Sequence, residues 1–178
     1  MAKFYFKLPV LFFSFFLYCC DMSAENFIKM KLKSGNVVIK LRPDIAPKHV
    51  KRISALVKEG FYDGLTFHRV IPGFMAQGGD PLGNGTGGSG QNIEAEFSQE
   101  KHIRGTVSMA RSQDPNSGDS QFFICFDEAS WLDGQYTIWG QVVKGMEFVD
   151  KIKKGEGQNG EIIGTPDKII TMKLSKKM

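Results

Sequence analysis

From Phe27 to Lys33 apolar and polar residues alternate. Ile28, Met30 and Leu32 fall between three lysines, which predicts a strand with one buried face. Ser34-Gly35-Asn36 is a turn and VVIKLR (37–42) a second strand, so the two form a hairpin. At Pro47 the period changes. Proline suits a first helical turn, where its missing N–H leaves nothing unsatisfied. Val50, Ile53, Leu56 and Val57 then share one face, and Gly60 ends the helix after about Glu59. FHRVI (67–71) and FMAQG (74–78) are short strands separated by Pro72-Gly73. On an ideal strand Phe67 and Arg69 share one face and His68 takes the other. Phe74 and Ala76 likewise lie opposite Met75 and Gln77. Residues 80–92 are a glycine-rich loop, and RSQDPNSGDSQ (111–121) is a polar loop between strands GTVSMA (105–110) and FFICF (122–126). YTIWGQVV (136–143) and KIITMKL (168–174) are further strands. A short helix over 145–154 places Met146, Val149 and Ile152 on one side. Two helices cannot cover both faces of eight strands. The expected fold is therefore mainly β: a closed eight-stranded antiparallel barrel with helices capping its open ends.

The first twenty residues differ from the rest. Lys3 and Lys7 precede an apolar run from Leu8 to Cys20, broken only by Pro9 and Ser14. A basic start and about a dozen apolar residues have the build of a secretory signal peptide. The run is short for a spanning helix, which needs about 20 residues. Residues 1–24 are expected to be this leader or, through Cys19 or Cys20, a lipoprotein leader, and residues 25–178 the folded domain. Export to a bacterial periplasm is expected, with a cytoplasmic protein as the alternative. The only membrane association expected is through that leader or a lipid anchor. Losing residues 1–24 removes two lysines and one aspartate, so a net charge of +4 becomes +3. Charges this scattered indicate a solvated basic surface and no nucleic-acid partner. Only Cys125 then remains, inside an apolar strand, where an inert buried thiol is expected and no internal disulfide can form. Nothing indicates an obligate interface, so a monomer is expected.

Several chemistries are disfavoured. Gly85 to Gly90 fits G-x-G-x-x-G, but a dinucleotide turn must leave a strand and open a helix, and here antiparallel strand signals surround it. His49, His68 and His102 have no partners at metal-ligand spacing, so no metal or other cofactor is expected; His49 and His102 suit surface or structural roles. No G-x-S-x-G elbow exists for a hydrolase serine. What remains is a set of apolar side chains beside polar ones. Phe74, Met75, Phe123, Trp131 and Leu132, with Arg69, Gln77 and Gln121, suggest a pocket with an apolar floor and a polar rim.

FHRVIPGFMAQGGD (67–80), NGTGG (84–88), SMA (108–110), SQFFI (120–124) and WLDG (131–134) occur in this order in the cyclophilins, which are peptidyl-prolyl cis-trans isomerases. The chain resembles that family over nearly all of residues 27–174, in its bacterial form. The resemblance implies a cyclophilin-like barrel and rotation of X–Pro bonds in peptides and unfolded proteins, assisting folding. A proline-gripping chaperone module without essential turnover is the alternative. By the same resemblance Arg69 is the catalytic arginine and Phe74, Met75, Phe123 and Leu132 receive the proline ring. Gln77, placed with Arg69 in catalysis, and Gln121 hold the substrate backbone. His68, Gly85, Ala110, Arg111, Ser112 and Trp131 line the groove. Trp131 is also the position that favours cyclosporin, so this inhibitor is expected to bind. Two departures stand out. Tyr136 replaces a histidine common on the pocket wall, and the 111–121 loop has the bacterial form.

Overall fold

The computed structural model describes residue 1 and residues 26–157 and 159–178. The expected leader lies outside the described residues. Eight antiparallel strands form one curled sheet: β1 (Phe27–Leu32), β2 (Gly35–Leu41), β3 (Arg69–Ile71), β4 (Met75–Gly78), β5 (Thr106–Met109), β6 (Phe122–Cys125), β7 (Ile138–Lys144) and β8 (Thr171–Ser175). Their order across the sheet is β3-β4-β6-β5-β7-β2-β1-β8. Helix α1 (Pro47–Lys58) buries Val50, Ile53, Leu56 and Val57 in the core, together with His49. Helix α2 (Met146–Val149) is shorter than its apolar spacing predicts. Beyond it the backbone tightens. Lys151 N–H donates to Phe148 and Ile152 N–H to Val149, one residue nearer than in an α-helix, yet Ile152 is still buried.

The expected closed barrel is a half-barrel. β3 and β8 stand at the two ends of the sheet. The two sides meet through short flanking pieces: Gly64 N–H donates to Ile169, Ile169 N–H to Leu65 and Phe67 N–H to Asp167, and Met172 N–H of β8 donates to the Asp63 carboxylate. Thr66 makes only isolated bridges, to Lys168 and Asp80, and the outer edge of the three-residue β3 is hydrogen-bonded to Gly155 and Gly160 instead of β8.

Alternation divides the apolar residues between two clusters. The barrel core holds Ile28, Met30, Ile39, Ile53, Phe67, Ala76, Phe122, Ile124 and Trp139 among others. A smaller cluster holds Met75, Phe123, Cys125, Ala129 and Leu132, with Ile71, Phe74, Ala110 and Tyr136 packed on it. β6 contributes to both, so all four of its residues are buried. This is why FFICF is a continuous apolar run and not an alternating one.

Candidate active site

The smaller cluster forms the floor of a groove of about 850 Å³ on the outside of the sheet. Met75 and Gln77 point into it from β4, while Ala76 between them enters the core. Phe123 does the same from β6, opposite Gln77 in register. Phe74 precedes β4 in the turn made by Pro72 and Gly73. That turn frees it from the alternation, and it lines the groove beside Met75, not across the sheet from it. Phe67 and Arg69 also part company. β3 begins only at Arg69, so Phe67 is wholly buried in the core while both His68 and Arg69 reach the groove. The expected pairing of Phe67 with Arg69 fails because residue 67 lies outside the strand.

A directed chain of hydrogen bonds crosses the groove. Arg69 Nε donates to the Asn159 carbonyl at 2.8 Å, and Nη1 donates to Gln77 Oε1 at 3.1 Å. Gln77 Nε2 donates to Gln121 Oε1 at 2.9 Å, and Gln121 Nε2 donates to the carbonyls of Gly85 and Gly87 at 2.9 and 2.8 Å. The links diverge from Arg69, one way to Asn159 and the other through Gln77 and Gln121, and both ends stop on backbone carbonyls. The amide orientations are fixed as a set, and three of the five guanidinium N–H groups have no hydrogen-bond partner among the described residues.

The walls are aromatic. Trp131, in a single 3-10 turn (Ser130–Leu132), packs tilted on Phe74 with centroids 5.4 Å apart. Tyr136 meets Phe123 edge-on at 5.8 Å, and the Arg111 guanidinium lies 4.5 Å above the Tyr136 ring. Arg111 in turn donates to the carbonyls of Gln135, Ser112 and Gln113, which anchors the cation–π contact. Tyr136 therefore fills the wall position where a histidine is common. Both His68 ring nitrogens are buried without a hydrogen-bond partner among the described residues. Burial, helped by the nearby Arg69 charge, holds this imidazole below its ordinary pKa, with Asp80 opposing.

Of the residues singled out from sequence, His68, Arg69, Phe74, Met75, Gln77, Gly85, Ala110, Arg111, Phe123, Trp131, Leu132 and Tyr136 line this groove. Ser112 and Gln121 line a neighbouring hollow of about 310 Å³, which shares Gln77, Gly85, Ala110 and Arg111 with it. Asn84, Asn159, Glu161 and Ile162 also line the groove and were not anticipated. Asn84 belongs to the glycine-rich loop, which wraps the Asp80 carboxylate. Backbone N–H groups of Leu82, Asn84 and Gly85 donate to it. Nothing in the local pattern brings 159–162 to position 69.

Two other groups have structural roles. His102 pairs through Nδ1 with Asp133 and through Nε2 with Ser108, each at 3.1 Å, in the order of a hydrolase triad. Both His102 and Ser108 are wholly buried, and the Ser108 hydroxyl also lies 2.9 Å from the Thr137 carbonyl, so no substrate reaches it. The set is a strut beneath Phe123, whose ring stacks on His102 at 6.3 Å. Cys125 is buried and its thiol is pushed up to about 12 by desolvation, which makes it inert.

The model of the family described as cyclophilin type peptidyl-prolyl cis-trans isomerase/CLD matches residues 27–174. A probable peptidyl-prolyl cis-trans isomerase of Brucella suis biovar 1 (strain 1330) is 58% identical over 159 residues, covering 82% of this chain and 81% of that protein. Peptidyl-prolyl cis-trans isomerase B of Bacillus subtilis (strain 168) is 45% identical over 128 residues, 70% of this chain and 89% of that one. A Cryptosporidium parvum cyclophilin type peptidyl-prolyl cis-trans isomerase, crystallised in the presence of the dipeptide Ala-Pro, superposes with a TM-score of 0.76 at 30% identity, covering 83% of this chain and 98% of that one.

Proposed function

The chain belongs to the cyclophilin-type peptidyl-prolyl cis-trans isomerases, and from that premise we propose that Arg69 drives the rotation of an X–Pro bond whose proline ring rests on Phe74, Met75, Phe123 and Leu132. Rotation breaks no covalent bond. It only interrupts amide resonance, against a barrier of about 18–20 kcal/mol. At the twisted midpoint the imide nitrogen turns pyramidal and regains a lone pair. A donor aimed there binds the transition state more strongly than either planar ground state. Arg69 is suited to this, because two of its N–H groups fix its plane and three remain for the substrate. Gln77, oriented by Gln121, is a fixed dipole for the carbonyl on the rotating side. A preference for the transition state of about 4 kcal/mol accelerates the reaction roughly a thousandfold. No nucleophile or general base is needed.

The observation that carries this reading is the uncommitted part of the Arg69 guanidinium in a groove floored by Phe74, Met75, Phe123 and Leu132. Substrates are proline-containing peptides and unfolded polypeptides, with assistance to folding as the result. The likeness to the structure crystallised with Ala-Pro supports this substrate class. Trp131, exposed beside Phe74, is the position we assign to cyclosporin. The N-terminal residues have the composition of an export leader, so a monomer acting in the periplasm, released or lipid-anchored, completes the proposal.

Arg69→Ala is expected to fold with unchanged circular dichroism and to lose most isomerase activity in a proline-peptide exchange assay by NMR. Arg69→Lys recovers little, because an ammonium lacks the planar fork. Full turnover in the alanine variant would refute the assignment.

A further inference from the structure

We propose that the turn carrying residues 159–161 is the device that aims Arg69, and that Gly160 is its positioning residue; this rests on the role assigned to Arg69 above. β3 is the end strand of the sheet, and β4 pairs only one of its edges. The other edge is covered by this turn. Val70 N–H donates to the Gly160 carbonyl at 2.7 Å, Gly155 N–H donates to the Val70 carbonyl at 2.8 Å, and the backbones of Arg69 and Glu161 form an isolated antiparallel β-bridge. The turn is closed on itself as well, with Gly160 N–H donating to Gly157 at 2.9 Å. The Asn159 carbonyl lies 2.8 Å from Arg69 Nε, beside the Gly160 and Glu161 contacts to β3. That bond uses the inner edge of the guanidinium and turns the outer N–H groups towards the groove.

Only glycine permits this approach. Gly160 has φ +78°, and a Cβ there would lie 2.5 Å from Ile71 Cγ1 and 3.0 Å from the Val70 backbone. Gly155 is as constrained, because a Cβ there would fall 2.1 Å from the Gly160 carbonyl oxygen. A side chain at either position must push the turn off β3 and carry the Asn159 carbonyl away from Arg69. Phe74, Met75, Phe123 and Leu132, which form the proline site, are not among the atoms that either Cβ would meet first.

The test is Gly160→Ala, read by peptide isomerisation kinetics and by the NMR signal of the Arg69 Nε–H. The expected result is a kcat lowered roughly 10- to 100-fold, as displacements of about 1 Å produce, with KM changed less than about twofold. The Nε–H signal shifts and its exchange with solvent speeds up. A wild-type kcat, or a lowered kcat with an unmoved Nε–H signal, overturns the proposal. If Gly160→Ala does not fold, Gly155→Ala, whose Cβ would meet the Gly160 carbonyl next to Asn159, displaces the same turn and is held to the same two readouts. Failure here is separable from failure of the parent reading. An active Arg69→Ala protein removes the role of Arg69 itself. An inactive Arg69→Ala beside a fully active Gly160→Ala removes only the positioning by the turn.

Discussion

Trp131 shows how much one residue's environment matters. Its side chain is 60% exposed, which for so large an apolar surface is costly unless a ligand covers it. Removing it disturbs little of the fold, so Trp131→Ala should change stability by no more than about 0.5 kcal/mol. Cyclosporin affinity, measured by calorimetry, should fall more than turnover of a short peptide. Equal drug affinity in the variant would remove Trp131 from the inhibitor site. Phe74, Met75 and Phe123 could be singled out in sequence because each is a bulky apolar residue beside glycines or amides. Asn159 could not, because what it offers Arg69 is a backbone carbonyl, and any residue has one.

At the level of elements, α1 starts without a side-chain cap. Its N-cap is Ala46, and Pro47 removes one of the orphan donors. Two of the others are satisfied from a distance: the Glu96 carboxylate accepts from the backbone N–H groups of Lys48 and His49, at 3.0 and 2.9 Å. It also pairs with the His49 ring at 2.7 Å. A loop some fifty residues away thus supplies the cap that the helix's own sequence lacks. Glu96→Ala should lower stability by about 1–3 kcal/mol in urea unfolding, through orphaned donors and an unpaired buried imidazole. An unchanged urea midpoint would show the cap to be dispensable. The helix was legible from its apolar face, whereas its cap was not, since Glu96 sits in a stretch with no periodicity.

For the whole molecule, buried imidazoles set the response to acid. Desolvation holds His49 and His102 below the ordinary pKa, against the opposing pull of Glu96 and Asp133. Above about pH 6.5 both the folded and the unfolded chain keep them neutral, so they contribute no pH dependence. Below it the unfolded chain takes up protons that the folded chain refuses, and stability falls as pH drops. Asp133 adds a second loss further down. The His102 backbone N–H, ahead of its ring, holds that carboxylate down to about 2, so its contribution is present above the ordinary carboxylate range and disappears towards pH 2. The Tm should be flat between about pH 7 and 8 and decline between about 6.5 and 5, before the carboxylates titrate. A Tm constant over that interval would mean that these histidines titrate alike in both states.

Strand alternation, the helical face of α1 and the run of glycines are local properties of the chain, and they determined the eight strands, the two helices and the mainly β class. The motif FHRVIPGFMAQGGD, with the later ones in order, fixed the family. Where each side chain ends up depends on where a strand begins, and that is set by partners distant in sequence. Phe67 enters the core and Phe74 the groove because β3 starts at Arg69 and β4 at Met75. The outer edge of β3 is taken by a turn from 90 residues away and not by β8, so the sheet stays open. Periodicity records only which face a residue prefers. Docking of distant segments decides which surface that face meets, and only folding brings Asn159 to Arg69.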